Sequence, residues 1–178
     1  MARVSADLRS VFMRRLALAA ALALTLSPLT AAGAFAQTAP AAASRGLTPA
    51  EVATWITGLG GRVGPVQTEN GLTFFTVTNA GLTWAVFFYG CEASGCGEVQ
   101  FSAVVPGAGA TLDAVNAWNR DNRYLKAFHT AAETPTATVQ YDVVVLSGEG
   151  VAQLADPLTV WLQLLPKFAA GMGYVAPR

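Results

Sequence analysis

The chain has 178 residues, of which 53% are hydrophobic and only 12% are charged, with 11 basic and 11 acidic side chains. Removal of residues 1–36 as a signal peptide takes away four arginines and one aspartate and leaves 142 residues with seven basic and ten acidic side chains, a net charge of −3. This charge argues against a nucleic-acid partner, which needs a basic surface. The remaining length is that of one domain.

The first 36 residues have the three parts of a secretory signal. Four arginines precede an apolar run over residues 16–26, and the small-residue tripeptide at 34–36 stands before Gln37. That order predicts cleavage after Ala36 and a periplasmic product without a stable membrane anchor. A permanent anchor is the alternative, but the run is shorter than the ~20 residues of a spanning helix. Arg14 and Arg15 leave the twin-arginine route open beside the general secretory route.

A flexible leader over residues 37–47 is predicted to precede a domain over 48–172, with a tail at 173–178. The domain opens on a helix, because Thr48, Pro49 and Glu51 have the order of an N-cap, a first-turn proline and a capping box. Leu47 and Val52 are placed for a hydrophobic staple. The predicted apolar stripe ends at two glycines and consists of Val52, Trp55, Ile56 and Leu59.

Short β-rich runs follow, separated by turn sequences at 70–71 and 79–81 and by the cysteine loop. They predict strands over 72–78, 82–89 and 98–105, the second of them central because it is apolar on both faces. The short connections favour antiparallel neighbours.

The two cysteines, Cys91 and Cys96, frame four residues and have glycines on both outer sides. In an oxidising compartment this spacing favours a disulfide that acts as a local clip. A metal site or a redox couple is the alternative. The chain offers one histidine toward the four ligands of a zinc site, and thioredoxin-like chemistry uses two intervening residues. No cofactor is therefore expected.

The second half predicts a helix capped by Thr111, strands over 124–130 and 136–146, and a closing helix started by Asp156 and Pro157 and interrupted or kinked by Pro166. In the middle helix, Leu112, Val115 and Trp118 are predicted to share the buried side. The closing stripe comprises Leu154, Leu158, Trp161, Leu165, Phe168 and Met172. Core packing is the expected role of the aromatic residues Trp55, Trp84, Phe87, Phe88, Tyr89, Trp118 and Trp161.

Catalytic patterns are poor in this sequence. The single histidine, His129, is expected to face about Thr138 across a hairpin, which places Asp142 too far along to orient it. The acidic residues form no pair at a catalytic spacing. We therefore expect no enzyme activity.

The segment around Trp118 forms the candidate interaction face. Asparagine is a mediocre helix former, so two asparagines beside a tryptophan suggest a specified role. The face consists of Asn116, Asn119, Arg120 and Arg123. The alternative is structural: these side chains bond neighbouring backbone and hold the helix on the sheet.

The sequence resembles the YbjN domain family of bacterial sensory transduction regulators. The resemblance spans residues 48–172 and depends on residues 84–91, the second cysteine, residues 99–101, the Asn-x-Trp-Asn-Arg segment at 116–120 and Trp161. It implies an α+β fold like that of type III secretion chaperones: an N-terminal helix, an antiparallel sheet interrupted by a middle helix, and a C-terminal helix. It implies no catalytic residues.

Two functions remain open on the sequence alone. One is a periplasmic protein- or peptide-interaction module with a regulatory or chaperone-like role, and the other is a periplasmic small-ligand binder or sensor with an apolar pocket. A homodimer is a further expectation, because Val160, Leu162 and Leu164 widen the apolar surface of the closing helix beyond its stripe.

Overall fold

The computed structural model of the protein describes residues 46–174, so the predicted signal peptide and most of the predicted leader and tail lie outside the described residues. Helices pack against one face of an antiparallel sheet, which confirms the predicted α+β class. In chain order the elements are α1 (Pro49–Gly58), β1 (Arg62–Val63), β2 (Gln67–Glu69), β3 (Leu72–Asn79), β4 (Leu82–Glu92), β5 (Gly95–Pro106), α2 (Leu112–Asp121), β6 (Lys126–Thr130), β7 (Thr136–Val144), a 3-10 turn (Val151–Leu154) and α3 (Ala155–Gly171).

The strand order is β1-β3-β4-β5-β7-β6, and β2 also pairs with β3. Every pairing is antiparallel, as the short connections predict. The turns at Asn70-Gly71 and Ala80-Gly81 have positive φ at both positions, which is the geometry of two-residue hairpins. After α2, the β6–β7 hairpin places β7 beside β5, so β6 becomes the edge of the sheet.

Alternation along the strands gives the sheet an inner and an outer face. The inner-face residues are buried under the helices and include Phe75, Val77, Trp84, Val86, Phe88, Val99, Phe101, Ala103, Val105, Ala137 and Val139. Their sequence neighbours point to the other side, where none of the three described helices covers them. We call that side the outer face; its central residues are Phe74, Phe87, Tyr89, Gln100, Val104, Phe128, Gln140, Asp142 and Val144.

Helix α1 begins as predicted. The Glu51 N–H donates to Thr48 Oγ1 at 3.3 Å and the Thr48 N–H donates to Glu51 Oε2 at 2.9 Å, so both halves of the capping box are present. Val52 and Ile56 are buried. Leu59 is wrongly predicted as a member of the buried stripe: it is 60% exposed, because the helix ends at Gly58 and Leu59 only caps it.

The other helices need three corrections. Val115 and Trp118 of α2 are buried, but Leu112 is exposed, because each three-residue step rotates roughly 60° around a helix and carries Leu112 off the buried side. Asp156 is not the cap of α3, since the 3-10 turn leads directly into the helix. Pro166 does not interrupt α3, which continues to Gly171. The predicted closing stripe is buried at all six positions.

Several strand ends differ from their predicted positions. The central hairpin is longer than predicted, because β4 and β5 continue to Glu92 and from Gly95 around the cysteine loop. Strand β6 begins only at Lys126, since Tyr124 has a φ of 72° and interrupts extended backbone. Strand β7 ends at Val144, two residues before the predicted end.

Aromatic side chains fill the centre of the core. Trp84, Phe101 and Trp161 form a cluster with ring centroids 5.5–5.8 Å apart. Trp118 meets Phe168 of α3 edge to face at 5.1 Å. Core packing is thus confirmed for Trp84, Phe88, Trp118 and Trp161, and also for Trp55, which is half-buried on α1 and packs against the core. It is wrong for Phe87 and Tyr89, which lie half-buried on the outer face.

Trp118→Ala is expected to lower the free energy of unfolding by about 3–5 kcal/mol, the range for removal of a large buried aromatic residue. The lost stability comes mainly from the packing of α2 on α3, because the variant lacks the edge-to-face contact with Phe168. Leu112→Ala on the same helix is the matched control and should change the free energy by less than about 1 kcal/mol, because its side chain is already exposed. Denaturant melts measure both; similar losses for the two variants would contradict this account of α2.

Candidate interaction surfaces

The residues of the candidate face on α2 have different structural roles. Asn119 reaches the edge strand: its Nδ2 donates to the Ala127 carbonyl at 2.8 Å, and its Oδ1 accepts from the Ala127 N–H at 2.9 Å. One side-chain amide thus satisfies both backbone groups that Ala127 turns away from β7. Asn119 holds α2 on the sheet and occupies part of the sheet edge.

The other three residues of the face are exposed. Arg120 forms a forked pair with its neighbour Asp121, with Nε–Oδ1 and Nη2–Oδ2 distances of 2.7 and 2.8 Å. Arg123 lies beyond the end of α2, and its guanidinium stands 5.6 Å from the centre of the Tyr124 ring. The Asn116 side chain makes no hydrogen bond with the part of the chain that the structure describes. The four residues therefore do not converge on one point.

The predicted disulfide between Cys91 and Cys96 is present, and it joins directly opposed residues of the β4–β5 hairpin. Cys96 is also bonded to the start of the domain, because its N–H and carbonyl pair with those of Leu47 at 2.9 and 3.0 Å. Gly46 lies against the backbone of Gly95 and Cys96 so closely that a Cβ on Gly46 would overlap them. The disulfide therefore fastens the hairpin tip, and the backbone bonds of Cys96 attach the segment that leads into α1 to this tip.

A polar network crosses four strands on the outer face. Gln100 is its centre: Gln100 Oε1 accepts from the Tyr89 hydroxyl at 3.3 Å and from Gln140 Nε2 at 3.0 Å, while Gln100 Nε2 donates to Asp142 Oδ1 at 2.6 Å. Lys126 Nζ lies 3.3 Å from Asp142 Oδ2. These bonds hold five side chains of β4, β5, β7 and β6 in one layer.

The surroundings of Tyr89 affect its ionisation. Partial burial raises the pKa of the Tyr89 hydroxyl, and the nearby carboxylates of Asp142 and Glu98 raise it further. The hydroxyl therefore stays protonated at neutral pH and remains a hydrogen-bond donor.

Apolar side chains flank this network. Val104, Phe128 and Val144 are 57%, 47% and 71% exposed, and Phe74 stacks obliquely on Phe87 with ring centroids 5.2 Å apart. Val104 and Phe128 lie on either side of Thr138 in the strand register and leave that threonine only 8% exposed. The outer face is thus more apolar than the usual solvated face of an antiparallel sheet.

Fewer apolar side chains of α3 are exposed than the sequence suggests. Val160 and Leu164 are half-buried and pack against the core, whereas Leu162 is exposed. Leu162 also lines a cavity of about 230 Å³ with Leu82, Trp84 and Pro166.

A larger groove of about 610 Å³ lies beside α1 and is lined by residues that include Leu47, Glu51, Trp55 and Val151. Its walls come from the segment before α1, from α1 itself and from the loop that ends in the 3-10 turn. Neither this groove nor the smaller cavity was identified from the sequence.

His129 pairs with Ala137 in the β6–β7 register, one residue from the predicted partner.

Within residues 46–174, His, Cys, Asp and Glu side chains form no group of three that could hold a metal ion. None of the described helices is long and apolar enough to span a membrane.

Sequence reasoning missed the outer-face network and the groove for one reason. Alternation shows that Tyr89, Gln100 and Asp142 avoid the apolar face of their strands, and this signal could have marked each of them as outward-facing. It cannot show that they meet, because that depends on strand order and register. The groove joins segments about 100 residues apart in sequence.

These features define a two-layer α+β domain with one open sheet face and no helix over it among the described elements. The YbjN family model, described as "Putative bacterial sensory transduction regulator", matches residues 48–173. The chain belongs to the YbjN family.

The crystal structure of "YbjN, a putative transcription regulator from E. coli" is similar to this chain with 16% sequence identity and a TM-score of 0.45, over 65% of this chain and 84% of that chain. No curated protein matches the chain in sequence.

Asn119→Ala is expected to destabilise the domain by about 1–3 kcal/mol, because it leaves the N–H and carbonyl of Ala127 without their partners. Amide hydrogen exchange at Ala127 should accelerate more than exchange elsewhere in β6. Asn116→Ala is the matched control on the same helix and should leave both quantities unchanged. Equal exchange rates at Ala127 in the two variants would show that Asn119 does not protect this edge.

Proposed function

We propose that this YbjN-family chain is an exported, non-enzymatic module that binds a protein or peptide partner through the outer face of its sheet, in a regulatory or chaperone-like role. The carrying observation is the open outer face itself, where exposed apolar side chains surround an ordered polar network. Such a combination is typical of protein interfaces, which pair apolar anchors with hydrogen bonds that select the partner.

The face is a better candidate than the sheet edges. At one edge, Asn119 occupies the outward-facing groups of Ala127. At the other edge, two strands of only two and three residues cover β3. Addition of a peptide strand needs a row of unpaired backbone groups, so both edges offer a partner little room. The outer face presents side chains instead.

The chemistry of the outer face indicates what would bind there. Val104, Phe128 and Val144 favour apolar contacts. Complete burial of one such side chain, relative to complete exposure, stabilises by about 1.5–3 kcal/mol. Gln100 and its bonded neighbours offer directional donors and acceptors at the centre. A partner should therefore present an apolar patch around a polar centre. A second copy of this chain meets the same requirement and is the homodimer alternative.

Export rests on the sequence of residues 1–36, with the disulfide as support, because disulfides persist in oxidising compartments. Intact mass spectrometry of protein from the periplasmic fraction is expected to give a chain that starts at Gln37 and has no thiol available for labelling after denaturation. Retention of Arg14 and Arg15 in a membrane fraction would contradict cleavage. Two labelled thiols would contradict the oxidised clip.

Photocrosslinking tests the outer face as the binding surface. A benzophenone amino acid at Phe128 is expected to capture one identifiable protein in the periplasm, and the same group at the exposed Thr159 of α3 is the control. Val104→Asp should reduce capture from position 128, because it places a charge in the apolar contact without touching the core. Equal capture from both positions, or capture unaffected by Val104→Asp, would contradict an outer-face interface.

A further inference from the structure

The groove beside α1 is a second surface, separate from the outer face. We call it the Trp55 groove and define it by Leu47, Glu51, Trp55, Gly148 and Val151. Its volume of about 610 Å³ lies within the ~300–1,000 Å³ of typical ligand sites. Leu47, Trp55 and Val151 supply the apolar part of the wall, and Glu51 supplies a carboxylate.

The walls of the Trp55 groove are held in place by hydrogen bonds that do not involve a ligand. On one side, Leu47 is paired with Cys96 of the disulfide hairpin. On the other side, Gln153 closes the loop before the 3-10 turn: its Oε1 accepts from the Leu146 N–H at 2.7 Å, and its Nε2 donates to the Gly150 carbonyl at 2.8 Å. A preorganised wall reduces the entropy lost on binding.

Glu51 offers a negative charge at this groove. Both of its bonds from Thr48 end on Oε2, so Oε1 has no hydrogen-bond partner among the described residues. Those bonds lower the pKa of Glu51, which keeps the carboxylate ionised at neutral pH. The capping box also occupies the Thr48 and Glu51 N–H groups, which would otherwise favour an anion.

The other described residues of the wall carry no charge that opposes Glu51. None of them is basic, and Glu149 stands in sequence between two of them, Gly148 and Gly150. The half-buried indole of Trp55 adds an aromatic surface, which attracts a cation at its face. Apolar walls, an aromatic ring and the carboxylate of Glu51 together select a cation that has an aliphatic stem.

We propose that the Trp55 groove binds an arginine or lysine side chain of a peptide, with aliphatic neighbours of that residue packed against Leu47 and Val151. This site is independent of the outer face, so either surface can fail its test without affecting the other. Charge complementarity selects this occupant over a neutral apolar ligand, for which Glu51 would be an obstacle because its desolvation would have no compensation.

Titration with short peptides tests the proposal on the purified secreted protein. The probe is acetyl-Leu-Arg-Leu-amide, and the matched probe replaces arginine by citrulline, which has nearly the same shape without the charge. Binding is followed through the Trp55 indole N–H signal in NMR spectra, assigned with Trp55→Phe. We expect a saturable shift of this signal and about threefold to tenfold weaker binding of the citrulline peptide, the combined scale of exposed ion pairs and cation–π contacts.

Glu51→Gln should abolish the preference for arginine over citrulline while α1 stays folded, because glutamine can replace glutamate in the capping box. Glu149→Gln is a second variant, which does not touch α1, and should weaken the preference in the same direction. Glu133→Gln, in the β6–β7 turn, removes an equal charge elsewhere and should leave the preference intact.

Three results would overturn the proposal. Equal affinities for the two peptides would exclude recognition of charge, and the absence of a saturable shift would exclude binding. Binding of the arginine peptide only by an Arg45→Ala variant would show that the groove is filled by this chain's own arginine, which stands next to Gly46 in sequence.

Discussion

Burial of one sheet face against α3 is the constraint on which the rest of this structure depends. Trp161 meets Trp84 and Phe101 at the centre of that interface, and all three side chains are almost completely buried. Since strand side chains alternate, the strand positions that meet α3 fix the orientation of every other position. The outer face is therefore a direct consequence of core packing: its residues are those that the helices leave uncovered.

A sheet covered on one side has two further problems, and side-chain chemistry addresses both. Its edges could pair with other chains, and Asn119 occupies the outward-facing groups of Ala127 on β6 while short strands cover β3. Its central hairpin is long, and the Cys91–Cys96 disulfide fastens the tip of that hairpin while Leu47 bonds the tip to the segment before α1. The second arrangement has a consequence for binding, because the same segment forms one wall of the Trp55 groove.

The family assignment and the two proposed surfaces rest on different observations. Membership of the YbjN family follows from a match over almost the whole described domain. The surfaces follow from charges and contacts in this chain: the outer face combines apolar side chains with an ordered polar network, and the Trp55 groove combines an indole with unpaired carboxylate oxygen. The two proposals together would give the domain separate sites for two partners, or for two parts of one partner.

Much of the fold could be predicted from local patterns. The sequence by itself determined four of these local features: the capping box of α1, the Asn-Gly hairpin, the alternation of β3 and the stripe of α3. In each of them the residues that form the pattern follow one another at intervals of only a few positions. The disulfide belongs to the same group, because its cysteines are separated by only five positions. Local errors, such as Leu59 and Leu112, occur at helix ends, where the periodic pattern continues but the helix no longer contacts the sheet.

Only the tertiary structure decided which distant residues meet. Gln100 and Asp142 are 42 positions apart and become neighbours because β7, rather than β6, pairs with β5. Asn119 looks like part of a binding face in sequence and becomes an edge cover because α2 packs beside β6. Leu47 and Val151 line one groove because the segment before α1 and the start of the 3-10 turn both lie beside α1. Strand order and register arise from packing of the whole core, and no local pattern contains that information.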